Sequence, residues 1–147
     1  MKPKADFKKE LYSVYPQPLE ILQAFSDEIC IRLFMRIGLS AGDRVYDSAT
    51  LMTKLRISKK RFYTKIFNLQ KCGLVKRINQ KYYITAFGKV VLQSMRLIED
   101  ASRISWKLKV LDAIEPSKNL DEGRNLINTL IDSERIKIIL KSKYSKR

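Results

Sequence analysis

The chain has 147 residues, of which 45% are hydrophobic and 10% are aromatic, so it is long enough and apolar enough to bury a core. Its 30 basic and 15 acidic residues give a formal net charge of +15, which makes a polyanion the first expected partner. Two isolated cysteines and the absence of histidine exclude a nitrogen–sulfur zinc site, and we expect neither a metal nor another cofactor.

Two helices are predicted after an N-terminal arm. Residues 1–15 are charged, with scattered aromatics, and we expect a loose arm there. The run "PLEILQAF" is typical of a short helix that has Pro18 in its first turn. The run "SDEICIRLFMRIG" predicts a second helix with Ser26 as its N-cap and Gly38 at its C-cap. In the loop that follows, residues 45–46 are candidates for a minimal strand.

The centre of the chain predicts two further helices and a hairpin. The run "SATLMTKLRI" indicates a short helix, and a tight link leads from it to a helix at residues 58–72. In that helix Phe62, Ile66 and Leu69 recur at i, i+4 and i+7, which places them on one buried face. Residues 74–84 then predict two short antiparallel strands.

The hairpin is predicted to turn at Asn79 and Gln80, because asparagine tolerates the positive φ that a two-residue turn requires. Successive side chains of a strand alternate between its faces, so Tyr82 shares a face with Ile84. We expect Tyr82 to lie in the core. Phe67 of the preceding helix is expected there too.

Two long helices are predicted after the hairpin. Thr85 is placed to cap the first, over about residues 86–114, and Pro116 ends it. The second runs over about residues 120–140. The apolar positions of the first are Val91, Met95, Ile98, Ile104, Leu108 and Leu111.

Two short helices with a tight link, followed by a hairpin, are the order of a helix-turn-helix with a wing. The predicted fold class is therefore mainly α with a small β-hairpin wing, plus C-terminal helices. The runs "TLMTKLRIS", "NLQKCGLV" and "YYITAFG" occur in this order and together resemble the winged helix-turn-helix transcription regulators of bacteria and archaea, over residues 24–92. The sequence departs from that family at Arg56, where the family often has glycine.

The resemblance implies binding of double-stranded DNA, commonly by a homodimer. It makes residues 16–92 the DNA-binding domain, with 58–72 as the recognition helix and 74–84 as the wing. Residues 86–147 form a C-terminal helical region with more apolar positions than one small winged domain needs. That surplus favours a dimerisation element, and the alternative is that these helices fold back on their own domain.

The positive charge is concentrated in the middle of the chain. Residues 1–47 and 99–147 carry net charges of 0 and +3, whereas residues 48–98 contain twelve basic residues and no acidic one. Folded domains usually mix both signs of charge on their surface. We therefore expect the surface that binds a polyanion to lie within residues 48–98.

The exposed face of the predicted recognition helix carries side chains suited to a major groove. Arginine and lysine can bond the two acceptors of guanine, and asparagine can pair with adenine. Cations in the first turn oppose the helix dipole, and a phosphate docked there would compensate them. The candidate DNA-binding residues, wing included, are Ser58, Lys59, Lys60, Arg61, Tyr63, Thr64, Lys65, Asn68, Arg77, Asn79, Gln80 and Lys81.

Other classes of function remain open at this point. An architectural DNA-binding protein would share the basic face but would contact mainly phosphates. A winged domain used for protein–protein assembly would normally have a less basic recognition face. RNA binding is a further alternative, although the sequence lacks the aromatic sheet of single-strand readers.

Membrane contact and catalysis are not expected. The first ten residues have no apolar segment, and no uncharged apolar run reaches the roughly 20 residues that a membrane span requires. We therefore expect a cytoplasmic, nucleoid-associated protein. No glycine-rich phosphate loop matches, and the closest carboxylate pairs are neighbours in sequence, so we expect no enzymatic activity.

Overall fold

The computed structural model of this chain describes residues 16–40, 44–114 and 120–142. These residues are mainly helical and include one small antiparallel hairpin, which confirms the predicted fold class. The chain divides into two compact units, Met1–Leu92 and Gln93–Arg147. The predicted arm at 1–15 and the predicted break at Pro116 lie outside the described residues.

The described part of the first unit contains four complete helices and the hairpin, and a fifth helix begins there. The helices are α1 (Pro18–Ala24), α2 (Glu28–Gly38), α3 (Ser48–Leu55), α4 (Lys59–Lys71) and α5 (Ala86–Arg103), and the strands are β1 (Val75–Ile78) and β2 (Lys81–Ile84). Helix α2 is central, because it packs against α3, α4 and β2.

Helix α4 joins the core through the face that its periodicity predicts. Phe62, Ile66 and Leu69 are all buried, as is Tyr82 of β2. The rings of Phe62 and Tyr82 meet edge to face, with their centroids 5.8 Å apart. This aromatic contact therefore packs the hairpin against α4.

Both predicted caps of α2 were wrong. Asp27, and not Ser26, is the N-cap, because its Oδ1 accepts hydrogen bonds from the backbone N–H groups of Ile29 and Cys30. Gly38 lies inside the helix rather than at its C-cap. A Cβ at Gly38 would lie 2.6 Å from a side-chain carbon of Leu92, so close packing is the reason for this glycine.

The link between α3 and α4 turns at Arg56, which has φ 54° and ψ 47°. Its N–H bonds the carbonyl of Thr53, and the N–H of Ile57 bonds the carbonyl of Met52. This left-handed conformation raises the free energy of a residue that has a Cβ by about 1–2 kcal/mol. The turn thus adopts a conformation that favours glycine, although an arginine occupies it.

The hairpin forms as predicted, with Val75 opposite Ile84 and Ile78 opposite Lys81. Asn79 and Gln80 have φ of 47° and 65°, the signature of a type I′ turn. The minimal strand proposed at residues 45–46 is replaced by a single bridge between Asp47 and Lys81, next to a hydrogen bond from the N–H of Tyr82 to the carbonyl of Tyr46.

Helix α5 begins as predicted and ends earlier. Thr85 Oγ1 accepts a hydrogen bond from the N–H of Gly88 at 2.9 Å, so the predicted cap is confirmed. The single helix expected over 86–114 was wrong, because Ile104 leaves helical geometry with ψ 17°. A separate helix, α6 (Ser105–Ala113), follows.

The last predicted helix is also two helices, α7 (Leu120–Leu130) and α8 (Glu134–Ser142). Ser133 lies directly before α8, and its carbonyl accepts the N–H of Lys137, so the Asp-Ser-Glu run is a helix start that periodicity alone concealed. Residues on both sides of each break pack into one small core. It consists of buried Ile127, Ile131 and Ile136, against which pack Leu97, Ala101, Ile104, Leu108, Leu111, Leu130 and Leu140.

Candidate nucleic-acid interface

Helix α4 presents a basic outer face in the first unit. Its N-cap is Ser58, whose Oγ accepts the N–H of Arg61 at 3.4 Å. Burial of the opposite face directs five of the predicted residues to the surface: Lys59, Lys60, Arg61, Thr64 and Asn68 are all exposed. The Thr64 hydroxyl donates to the carbonyl of Lys60 at 2.9 Å, which leaves its oxygen free to accept a bond from a ligand.

Lys65 differs from the other predicted residues of α4. Its Nζ lies 2.8 Å from Oδ2 of Asp27, and its side chain is only 22% exposed. The hydrogen bond from Lys65 is the largest cause that lowers the pKa of Asp27 below its usual value. Lys65 thus points toward the start of α2, and the structure does not bring it together with Lys60 and Arg61.

The basic residues of the hairpin lie on two different faces. Residues opposite each other in an antiparallel pair share a face, so Arg77 lies with its partner Tyr82 on the side that contains the core. The guanidinium carbon of Arg77 is 5.7 Å from the centroid of the Tyr82 ring. Lys81 lies on the other face, and the alternation along β1 puts Lys76 there too.

Asn79 and Gln80 are exposed at the turn of the hairpin, as expected. Lys81 is also exposed and is paired through its backbone with Asp47. The pKa of Asp47 is lowered, first by the hydrogen bond from the backbone of Thr50 and also by the charge of Lys81. The hairpin therefore offers two amides at its tip and two lysines on its outer face.

Across residues 48–98, all of which the structure describes, ten of the twelve basic side chains are exposed and the other two are half-buried. Within that range Lys65 is the one residue that forms an ion pair. Exposed cations without anionic partners on the same surface attract a polyanion. The positive charge of this range is therefore largely exposed and without ionic partners, which the net charge alone does not show.

A groove runs beside this face, between α4 and the hairpin. It has a volume of about 520 Å³, and its lining residues are Tyr63, Thr64, Ile66, Phe67, Asn68 and Gln70 of α4 and Arg77 and Tyr82 of the hairpin. Phe67 lines it and is 63% exposed, so the prediction that Phe67 lies in the core was wrong. The signal was available, because a helix that turns Phe62 inward carries Phe67 to its edge, beside Tyr63 at i−4.

Sequence reasoning also missed Lys76, which lies on the same outer face of the hairpin as Lys81. The period-2 alternation of a strand would have found it. In the described ranges, no helix is long and apolar enough to cross a membrane, and no three acidic or cysteine side chains are placed to hold a metal ion.

Comparisons with protein-family models and with curated proteins find no match for this chain.

Proposed function

We propose that this protein is a winged helix-turn-helix DNA-binding protein that acts as a sequence-specific transcription regulator. The observation that supports it is the exposed, acid-free face of α4, where Lys60, Arg61, Thr64 and Asn68 stand on the side opposite the buried residues. A helix with these side chains has the width and the donors that a major groove accepts.

In this proposal α4 lies in the major groove and reads bases. Arg61 donates to the two acceptors of guanine, and Asn68 pairs with adenine. Lys59 and the free N–H groups of the first turn of α4 hold a phosphate, which relieves the repulsion between these cations and the positive end of the helix dipole.

The hairpin acts as the wing and contacts the DNA backbone. Lys76 and Lys81 lie on its outer face, with Asn79 and Gln80 at its tip, and these side chains suit phosphate contacts that position the protein without reading sequence.

We further propose that the protein binds as a homodimer through its second unit. Trp106 of α6 is 61% exposed, and Val110, one helical turn along, is exposed as well. A second copy of the chain can bury this apolar pair against the same surface of its own second unit, which removes both side chains from water. Two recognition helices could then meet successive major grooves about 34 Å apart.

Selection of bound duplexes from a random library at about 150 mM salt tests the proposal. We expect a motif with two inverted half-sites about one helical turn apart. With the selected duplex, Arg61→Ala is expected to weaken binding by about 1–3 kcal/mol and to relax the preference at one base position. Arg103→Ala is the matched control, because it removes the same charge from an arginine that is ion-paired with Glu99 and Asp100 in the second unit.

Lys81→Ala distinguishes a backbone contact from base reading. It is expected to weaken binding to all sequences nearly equally and to reduce the slope of log K against log salt by about 0.9. Recovery of no motif, with steep loss of binding as salt rises, would favour an architectural role instead. Equal, sequence-independent losses for Arg61→Ala and Lys81→Ala would remove base reading from Arg61.

A further inference from the structure

The groove between α4 and the hairpin has the side chains that recognise a nucleobase. Tyr63 and Phe67 are one helical turn apart on α4 and are 40% and 63% exposed. Gln70 brings an amide group to the same groove. Its volume of about 520 Å³ is within the range of roughly 300–1,000 Å³ that is usual for small-molecule sites.

Arg77 forms one side of this groove and is held in place before any ligand binds. Its guanidinium lies over the ring of Tyr82, and Tyr82 is itself fixed in the core against Phe62. A guanidinium at this distance from an aromatic ring can also stack on a base or meet a phosphate. It is therefore available to the groove and not to the outer face of the hairpin.

The charge around the groove favours a nucleic acid over a peptide. Lys59, Lys60 and Arg61 precede the groove on the same helix, and no acidic residue occurs between residues 48 and 98. An apolar helix of a partner protein would cover the two aromatic rings but would leave these cations without partners. A nucleotide supplies both an aromatic plane and a phosphate.

We propose that this groove binds one unpaired base of DNA, stacked against Phe67 and Tyr63 and flanked by Arg77. The base is displaced from, or bulged out of, the duplex that α4 contacts. The inference rests on the proposed DNA binding and adds to it a preference for duplexes that contain an unstacked base. Stacking on an aromatic side chain is tolerant of sequence, so any of the four bases fits.

The test compares a fully paired duplex with the same duplex that carries a single bulged 2-aminopurine nucleotide. Affinity is measured by fluorescence anisotropy at fixed salt, and stacking is measured by the fluorescence of 2-aminopurine. For the unaltered protein we expect about tenfold tighter binding of the bulged duplex, with quenched 2-aminopurine emission.

Variants at Phe67 separate stacking from apolar packing. Phe67→Ala and Phe67→Leu are expected to bring the bulged duplex to the affinity of the paired one, whereas Phe67→Trp keeps the preference and the quenching. Phe87→Ala is the matched control, because Phe87 is an exposed phenylalanine of α5 that does not line the groove. The large exposure of Phe67 means that these substitutions leave the core intact.

Three results would overturn the inference. Equal affinity for paired and bulged duplexes in the unaltered protein would leave the proposed function standing and remove the base site. A Leu variant as good as the Trp variant would show apolar packing without stacking, and a change of oligomeric state in Phe67→Ala would assign the groove to a second copy. Binding of a bulged or single strand that depends on Phe67, without any binding of paired duplex, would support the base site and reject the proposed function.

Discussion

Asp27 shares its carboxylate between two partners. Oδ1 caps α2 by accepting the N–H groups of Ile29 and Cys30, and Oδ2 binds Nζ of Lys65 at 2.8 Å. One side chain thereby starts a helix of the core and fixes the middle of α4. We interpret Asp27 as a residue that orients α4 and does not itself belong to the basic face.

Substitutions at Asp27 can separate these two roles. Asp27→Ala removes both and is expected to lower the free energy of unfolding by about 1–2 kcal/mol, chiefly through the lost cap. Asp27→Asn keeps the cap and loses the charge, so its cost is expected to be at most about 1 kcal/mol, because the pair is partly exposed. Urea denaturation at pH 7 measures both, and equal losses in the two variants would contradict the assignment of the cap.

The same pair predicts a dependence on pH. The pKa of Asp27 is lower in the folded protein, first through its hydrogen bond from Lys65. Its contribution to stability is therefore complete above the unfolded pKa of about 3.9 and is lost as the pH falls through the lower folded pKa. The difference in unfolding free energy between the unaltered protein and Asp27→Asn should close below about pH 4. A difference that stays constant from pH 7 to pH 3 would show that Lys65 does not act on this carboxylate.

Arg56 carries backbone strain that a glycine would relieve. Its φ of 54° is unfavourable for a side chain with a Cβ, and glycine also makes the unfolded chain more flexible, which offsets part of the gain. Arg56→Gly is expected to raise the free energy of unfolding by about 0.5–1 kcal/mol. Arg56→Ala removes the same charge and keeps the Cβ, so it should give no gain. Thermal unfolding of the three proteins compares them directly, and stabilisation by alanine equal to that by glycine would assign the effect to charge.

At the scale of elements, the hairpin depends on a turn that its sequence favours only in part. Both central residues of a type I′ turn need positive φ, and Gln80, at φ 65°, is a poor residue for it. Asn-Gly is the preferred pair, so Gln80→Gly should stabilise the first unit by about 0.5–1 kcal/mol. Gln80→Ala is the matched control and should not stabilise. Denaturant midpoints decide between them, and a loss of stability in Gln80→Gly would contradict the turn type.

Helix breaks are the feature of the elements that periodicity did not predict. Hydrophobic residues recur on both sides of Ile104 and of residues 131–133, and yet a helix ends at both places. Because the chain changes direction at each break, residues on both sides of the break contact the same isoleucine cluster. In a straight helix, only the residues on one side of that point would reach the cluster. The gain from burial at both ends exceeds the few hydrogen bonds that each break removes.

At the scale of the whole molecule, the proposed dimer makes a prediction about mass. Light scattering after gel filtration is expected to give twice the chain mass at high concentration, and Trp106→Ala should shift the protein toward the mass of one chain. Leu19→Ala is the control, because Leu19 is a similarly exposed apolar residue of the first unit. One chain mass at every concentration would contradict the dimer. The proposed DNA binding would then be the property of a monomer.

Much of this protein is determined by local sequence. The helix order around the hairpin, the inward face of α4, the cap at Thr85 and the turn at Asn79-Gln80 follow from short-range periodicity, caps and φ preferences, each confined to a few neighbouring residues. The acid-free range 48–98 is likewise a property of the sequence alone.

What the tertiary structure decided concerns partners that are distant in the chain. Lys65 forms an ion pair with Asp27, which lies 38 positions earlier in the chain. Arg77 lies on the core face of the hairpin because it is opposite Tyr82. Periodicity tells which residues share a face, but only the packing of one element on another decides how wide the buried part of that face is and which charged groups it pairs.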